Sequence, residues 1–389
     1  MTLVMVDVSG QQPKRKTEAL PAPLLPAEQA WLVTLPSPPV AAGALDGQRV
    51  YIPLQEHGIV ALERETGETA WTNDAETALP IALAANVAIL LRTDEVLALD
   101  RATGDPVWRT PLRSNPIVAA LSTGDLIVAV LENEDVVALH VADGSQAWSV
   151  KVKGVKPPMG LAADHDSVYL NVGAGAVAAL SRTNGTVEWQ RQLDGQLSTP
   201  AVGKDRLFVG STSNAFYALD VRNGKREWMW GADMIGGDVI GAAADGDNIY
   251  YVGLDNLLRA LSRNGNQRWK QPLTTRPNAP PMAFGGIVVV FGVSPAMTAF
   301  NAKTGSSLGS YIAPNAPGAS VPPVLKGPPL IDPLLRPFRV AAVVITAEGR
   351  AIGLRPTGMM FREPPAVPLT VLPGKPLTRE SSPLASPAK

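Results

Sequence analysis

Cysteine is absent from this 389-residue chain. That excludes disulfides, thiol nucleophiles, thiolate-bound zinc and thioether haem attachment, and the sequence as written has no lipobox cysteine. Histidine is scarce. His57, His140 and His165 are the three, widely separated and without ligand spacing, so no metal site is expected of them. An excess of either charge is lacking too: 34 Lys and Arg stand against 35 Asp and Glu, a net charge of −1. Without a basic surplus, nucleic-acid binding is not expected. Long apolar runs are missing. The longest, Leu79–Leu91, contains Pro80 and Asn86 and falls short of the roughly 18–20 residues that a membrane helix needs. No transmembrane segment is therefore expected. The opening MTLVMVDVSGQQPKRK lacks the basic-then-apolar order of a signal peptide.

What is present is a chain that is 46% apolar, enough to pack a core. Proline is plentiful, at 36 residues, but unevenly spread: 22 fall in the windows 13–39, 312–339 and 364–389. These read as a stiff segment before the folded part, an insertion within it and a tail after it. The expected domains are a flexible Pro-rich segment 1–29, a repeat domain 30–361 with its insertion at 312–339, and a disordered tail 362–389.

One pattern recurs through the middle: Ala-Leu, a few variable residues, Gly, three residues, Trp. It reads ALERETGETAW from Ala61, ALDRATGDPVW from Ala98, ALHVADGSQAW from Ala138, ALSRTNGTVEW from Ala179 and ALDVRNGKREW from Ala218. ALSRNGNQRW from Ala260 is one residue shorter, AFNAKTGSSLG from Ala299 has Gly309 where Trp should stand, and IGLRPTGMMF from Ile352 is weaker. The turn glycines are Gly67, Gly104, Gly144, Gly185, Gly224, Gly265, Gly305 and Gly358, with successive spacings of 37, 40, 41, 39, 41, 40 and 53. A period near 40 is the length of a propeller blade. The long last interval holds the Pro-rich insertion.

Each unit has short β-branched runs between Asp, Asn and Gly turns, which are strand signals. The Thr-Gly or Asn-Gly step closes a tight hairpin, because glycine accepts positive φ. The strand after it carries a tryptophan: Trp71, Trp108, Trp148, Trp189, Trp228 and Trp269 in the clear repeats. A buried indole covers about 150–250 Å² and needs an acceptor for its N–H, so these residues are expected to dock each blade on the next. Trp31 lies upstream of the first full unit, and the eighth unit has no Trp. The economical arrangement makes residues 30–35 the outer strand of the eighth blade, removing an exposed edge. The expected fold is therefore all-β, an eight-bladed β-propeller of four-stranded blades. The alternatives are a seven-bladed ring with an appendage, or an eighth outer strand built from Met359-Met-Phe361.

These Ala-Leu-Asp-x-x-Thr-Gly-x-x-x-Trp blocks resemble the tryptophan-docking motifs of PQQ-type β-propellers. That group includes quinoprotein alcohol dehydrogenases, sensor propellers attached to bacterial kinases and the outer-membrane assembly factor BamB. The chain is most similar to the BamB type, with short blades and no catalytic insertions. The resemblance implies a non-enzymatic scaffold for protein–protein interaction in envelope assembly, located in the periplasm or cell envelope and using no cofactor. The alternatives it leaves are a quinoprotein-like dehydrogenase binding PQQ and Ca²⁺, and a ligand-sensing propeller. Asp94, Glu95, Glu132, Glu134, Asp135, Asp164, Asp166, Asp205, Asp245 and Asp247 read as turn residues making local hydrogen bonds. No catalytic, cofactor or metal residue is assigned.

In the BamB type, a partner patch uses a Leu-x-Leu-Arg stretch in one inter-blade loop and Asp-x-Asp in the next. The comparable loops here are Gln192–Leu197 and Ala232–Val239. The resemblance places Leu193 and Asp238 at matching positions, with Asp194 where the family has Arg and Gly236 where the first Asp would be. Met234 and Ile235 read as an exposed apolar pair that a partner would cover. Leu193, Asp194, Met234, Ile235 and Asp238 are thus the expected partner-binding residues.

Overall fold

The computed structural model describes residues 24–155, 160–173, 175–293, 296–332 and 340–357. The expected tail 362–389, Gly358 and Met359-Met-Phe361 lie outside these residues. Among the described residues there are eight antiparallel four-stranded sheets and no helix. They form the ring of an eight-bladed propeller, so the seven-bladed alternative is set aside.

The first blade shows the common design. Its strands run from the inside outward as Ala44–Leu45, Arg49–Pro53, Ile59–Glu63 and Thr69–Asn73. The second and third strands are buried on both faces because a neighbouring blade covers each side. Hence they read as continuous apolar runs rather than as an alternation. The outer strand fully buries only its Trp71. The apolar clusters accordingly lie between blades. One joins Tyr51, Ala61 and Trp71 of the first blade to Ala88 and Leu97 of the second.

The cross-strand register explains the motif's alanine. In the third strand, Ala61 stands opposite Trp71, Ala98 opposite Trp108 and Ala138 opposite Trp148. The pattern continues with Ala179 and Trp189, Ala218 and Trp228, and Ala260 and Trp269. A small residue at that point leaves the indole free to lean over the next blade. A bulge follows immediately in each pair, turning the outer strand into its hairpin.

The hairpin of the next blade receives the indole. Asp100 accepts hydrogen bonds from the amides of Ala102 at 2.7 Å and Thr103 at 3.1 Å, and its own carbonyl accepts the Gly104 amide at 2.8 Å. The turn then presents the Arg101 carbonyl, which accepts the Trp71 indole N–H at 3.0 Å. Gly104 sits at φ 80°, and a Cβ there would fall 2.6 Å from the Trp71 ring. Both the backbone and the close approach therefore require glycine.

The same N–H bond runs from Trp31 to Arg64, Trp108 to Val141 and Trp148 to Arg182, at 2.8, 2.9 and 2.7 Å. It runs from Trp189 to Val221, Trp228 to Arg263 and Trp269 to Ala302, at 2.8, 2.9 and 3.1 Å. The rings lie over Gly67, Gly144, Gly185, Gly224, Gly265 and Gly305 respectively. At about 25 cal/mol per Å², each buried indole contributes roughly 4–6 kcal/mol of gross apolar burial.

The eighth blade is spliced from both ends of the chain. Leu330–Ile331, Ala342–Ile345 and Arg350–Pro356 form its first three strands, and Ala27–Thr34 pairs antiparallel with Arg350–Pro356 as the fourth. The insertion 312–339 thus supplies the inner strand. Trp31 lies opposite Gly353, where a Cβ would run into the indole, so glycine takes the place of the motif's alanine. Arg64, 1% exposed, fastens the join. It donates to the Val340 carbonyl at 2.8 Å and to the Asp46 carbonyl and Asp332 carboxylate, each at 3.2 Å.

The folded part begins earlier than residue 30. Leu24 and Leu25, read from the sequence as part of the flexible segment 1–29, are buried with Ala299, Ala313, Ala342 and Leu354 between the seventh and eighth blades. Leu25 packs against Gly309, the residue standing in the seventh tryptophan position. The leucine pair fills the gap that the missing indole leaves.

Candidate functional site

Antiparallel strands place the inter-blade loops and the turns between second and third strands at one end of every blade. This is called the loop face below. The tryptophan-docking hairpins lie at the opposite end. Both expected partner segments are therefore on the loop face, between the fourth and fifth and between the fifth and sixth blades.

The second of these segments is a tight turn. The amides of Met234 and Ile235 both donate to the Gly231 carbonyl, at 2.9 and 3.1 Å. This curl sends the two side chains opposite ways. Met234 is 53% exposed, whereas Ile235 is 1% exposed and packs with Phe216, Val239 and Tyr251. The expectation of an exposed pair is thus corrected: Ile235 anchors the loop and only Met234 is presented. Asp238 is half-buried, and its carbonyl accepts the Leu254 amide at 2.8 Å.

Beneath this loop lies a buried ion pair. Asp255 and Arg259 meet at 2.6 Å with side chains 11% and 6% exposed. The Arg259 guanidinium stands 5.5 Å from the centre of the Tyr251 ring, a cation–π distance. Burial pushes the Tyr251 phenol well above its ordinary pKa, against a lowering by Arg259. Gly237 lets the loop descend on this pair, since a Cβ there would lie 3.1 Å from the Asp255 amide nitrogen.

The first segment is held just as firmly. Leu193 is half-buried against the cluster of Tyr169, Val177 and Tyr217, and its amide donates to the Gly175 carbonyl at 2.7 Å. Asp194 is exposed, but its carbonyl accepts the Ser211 hydroxyl and its carboxylate accepts the Tyr217 hydroxyl at 3.4 Å. Burial raises the Tyr217 pKa. Asp194 therefore fastens its own loop to the fifth blade, and Leu193 offers only part of its surface. Of the five expected partner residues, Met234 alone is both apolar and largely exposed.

Most of the acids sit in turns and serve them, but Glu95, Asp135 and Asp245, expected in turns, are end residues of strands. Asp164 accepts from the amides of Asp166 and Ser167 at 2.9 and 2.8 Å and from the Tyr169 hydroxyl at 2.6 Å. Glu134 accepts the Gly154 amide at 2.8 Å. Asp205 pairs with Arg263, and Asp135 lies 3.3 Å from Lys151. Among the described residues, no group of three or more His, Cys, Asp or Glu is placed to hold a metal ion. No helix among them is long and apolar enough to cross a membrane.

Sequence reasoning missed Trp230. It is two residues beyond Trp228, hence on the same face of the strand, and its indole donates to the Gly265 carbonyl at 2.9 Å. The Trp-x-Trp spacing was the available signal. Buried Arg64 had no such signal, because the matching turns carry Arg, Val or Ala at that position.

A family model described as outer membrane protein assembly factor BamB matches residues 27–128 and 55–263. The outer membrane protein assembly factor BamB of Shewanella oneidensis is 24% identical over 153 residues, covering 35% of this chain and 39% of that protein. The aligned stretch is thus well under half of that relative's length. Among solved structures, BamB from Moraxella catarrhalis superposes with a TM-score of 0.63 at 17% identity, over 85% of this chain and 99% of that one. The computationally designed protein Ika8 gives 0.66 at 13% identity, over 86% and 99%. The C-terminal WD40 domain of Sif2 gives 0.66 at 12%, over 85% and 98%. At these identities the structural likenesses establish the fold.

Proposed function

The chain belongs to the family described as outer membrane protein assembly factor BamB, and from that premise we propose that it is a non-enzymatic scaffold of envelope-protein assembly. In this reading it works in the periplasm or at the envelope and grips a protein partner with the loop face around the fifth and sixth blades. One observation carries the reading. Met234 is held 53% exposed by a turn whose next residue, Ile235, is locked in the core. A preorganised apolar residue loses little conformational freedom when a partner covers it, so its burial goes into affinity. In this reading Asp238, on the same loop, and Leu193 and Asp194, on the preceding inter-blade loop of the same face, belong to the same interface.

The test is affinity capture from envelope extracts with wild type and Met234→Asp. The variant changes an exposed side chain, so the fold should persist, and partner recovery should fall at least about tenfold. Ile235 is unsuited to the test, because a buried Asp would unfold the loop. Equal recovery by the two proteins would remove Met234 from the interface. Dye reduction dependent on added PQQ and Ca²⁺ would overturn the scaffold reading itself.

A further inference from the structure

The loop face carries a second feature, across the first three blades. In seven blades, the same backbone bond ties the turn between second and third strands to the preceding inter-blade loop. The donors and acceptors are Gln55 to Pro38, Glu132 to Asn115, Gly173 to Gly154, Thr212 to Gln196, Leu254 to Asp238, Val293 to Arg276 and Ala347 to Val324. Strand register places Thr93 in the matching position of the second blade, since Val87 pairs with Asp100 as Arg49 pairs with Glu63. The Thr93 amide has no such acceptor among the described residues. The companion bond is altered as well. In the first blade the Pro53 carbonyl accepts the Val40 amide at 3.0 Å, whereas the corresponding Leu91 carbonyl accepts the Thr77 hydroxyl at 2.8 Å. The loop has stepped away from its turn, and a side chain covers one half of the broken ladder.

A cavity of about 470 Å³ lies between the two segments, with Thr93 among its walls. Ligand cavities typically span about 300–1,000 Å³. Its accessible apolar wall comes from Val40, Leu79 and Pro116, with Leu54 and Leu91 buried behind them. Glu76 and Asp94 stand at it, both exposed and neither in an ion pair among the described residues. Arg92 also lines it, paired with Glu95, which lies 3.7 Å from Arg109 as well; three carboxylates against two guanidiniums leave this end of the blade with a net charge of −1. The cavity thus combines an open backbone donor, a partly exposed apolar wall and a net negative charge carried by two carboxylates that make no ion pair among the described residues.

We propose that this cavity docks an extended peptide segment of a protein partner. A peptide carbonyl accepts the Thr93 amide and so restores the bond that the other blades make internally. An adjacent apolar side chain packs on the accessible surface of Val40, Leu79 and Pro116, and a neighbouring Lys or Arg faces Glu76 and Asp94. This is strand addition at a single broken rung, with backbone bonding giving affinity and the side-chain pocket giving selectivity. The site stands apart from Met234 and does not depend on it.

Phage-displayed random heptapeptides selected on the wild-type chain and counter-selected on Ala78→Trp provide the test. Ala78 is an exposed residue of the cavity wall, so the indole fills the site without entering the core. Recovered sequences should pair an apolar residue with an adjacent Lys or Arg. Their synthetic counterparts should bind Ala78→Trp about tenfold or more weakly and Glu76→Gln/Asp94→Asn about three- to tenfold more weakly. Hydrogen exchange across 91–97 should slow on binding. Unchanged melting temperatures establish that the variants are folded, and Met234→Asp should bind these peptides as wild type does. The proposal is overturned if no sequence separates wild type from Ala78→Trp, if the selected peptides lack basic residues, or if exchange at 91–97 is unaffected.

Discussion

Replacing Leu24 and Leu25 together by alanine tests how the ring is locked. Both side chains are fully buried, at 0% and 1% exposure, in the cluster between the seventh and eighth blades. A buried Leu→Ala change costs about 2–5 kcal/mol, according to how far the site collapses. The two leucines share one pocket, so their losses will not add exactly as independent sites would. The double variant should lose about 4–8 kcal/mol, against a total stability of typically about 5–15 kcal/mol for a folded domain. Urea denaturation followed by tryptophan fluorescence gives the loss from the midpoint and slope. Native-state hydrogen exchange should locate it, with protection falling first in Ala27–Thr34 and Arg350–Pro356. Leu32→Ala is the control. Leu32 sits on the same spliced strand but is 40% exposed, and its loss should stay below about 1 kcal/mol. If the double variant falls within about 1 kcal/mol of wild type, or costs no more than Leu32→Ala, the leucine pair does not take the place of a tryptophan.

Three other outcomes follow from the geometry. Trp71→Phe removes the indole bond to Arg101 while keeping an aromatic ring, and should cost about 1–3 kcal/mol in chemical denaturation, against about 3–5 for Trp71→Ala. Gly104→Ala and Gly246→Ala share a positive φ, but a Cβ at Gly104 meets the Trp71 ring whereas one at Gly246 meets nothing within 4 Å. Gly246→Ala should therefore cost about 1 kcal/mol and Gly104→Ala at least about 1–3 kcal/mol more. All six tyrosines have pKa values raised chiefly by burial, with Tyr250 pushed up to about 12. The folded state thus disfavours the phenolate. Stability should be insensitive to tyrosine ionisation below about pH 10 and should fall as pH rises from there through the folded values. Tyrosinate absorbance should then appear together with unfolding; its appearance near pH 10 in a folded chain would contradict the burial argument.

The ring was legible because its energetics repeat. Tryptophan, the turn glycine and the alanine opposite the indole are each forced by one contact, so each recurs at blade spacing and stands out. Trp31 without preceding strands, and an eighth unit without tryptophan, sufficed to read the splice. The leucine plug was not legible. Leu24 and Leu25 are two apolar residues in a proline-rich stretch, with no periodicity to give them a face. Ile235 was misplaced for a related reason. Adjacent residues in a strand point oppositely, but in an irregular loop only the hydrogen bonds to Gly231 decide which one turns inward. The open rung at Thr93 was equally hidden, because inter-blade loops vary in length and sequence, and a missing bond leaves no residue signature.

The splice also accounts for the repeat's main defects. In an ordinary blade, the hairpin between third and outer strands supplies both the glycine platform and the carbonyl that receives the preceding indole. The eighth blade has no such hairpin: its third strand ends at Pro356 and its outer strand begins afresh at Ala27. Thr357 instead donates its amide and hydroxyl to the Pro26 carbonyl, at 2.9 and 3.1 Å. That carbonyl is already engaged, and among the described residues no turn follows the third strand to offer another. A tryptophan on the seventh outer strand would bury its N–H without the usual partner, at a cost of about 1–3 kcal/mol. Leucine fills the same space with no donor to satisfy. The glycine at position 309 and the leucines at 24 and 25 are therefore two halves of one solution, imposed by closing the ring with the beginning of the chain.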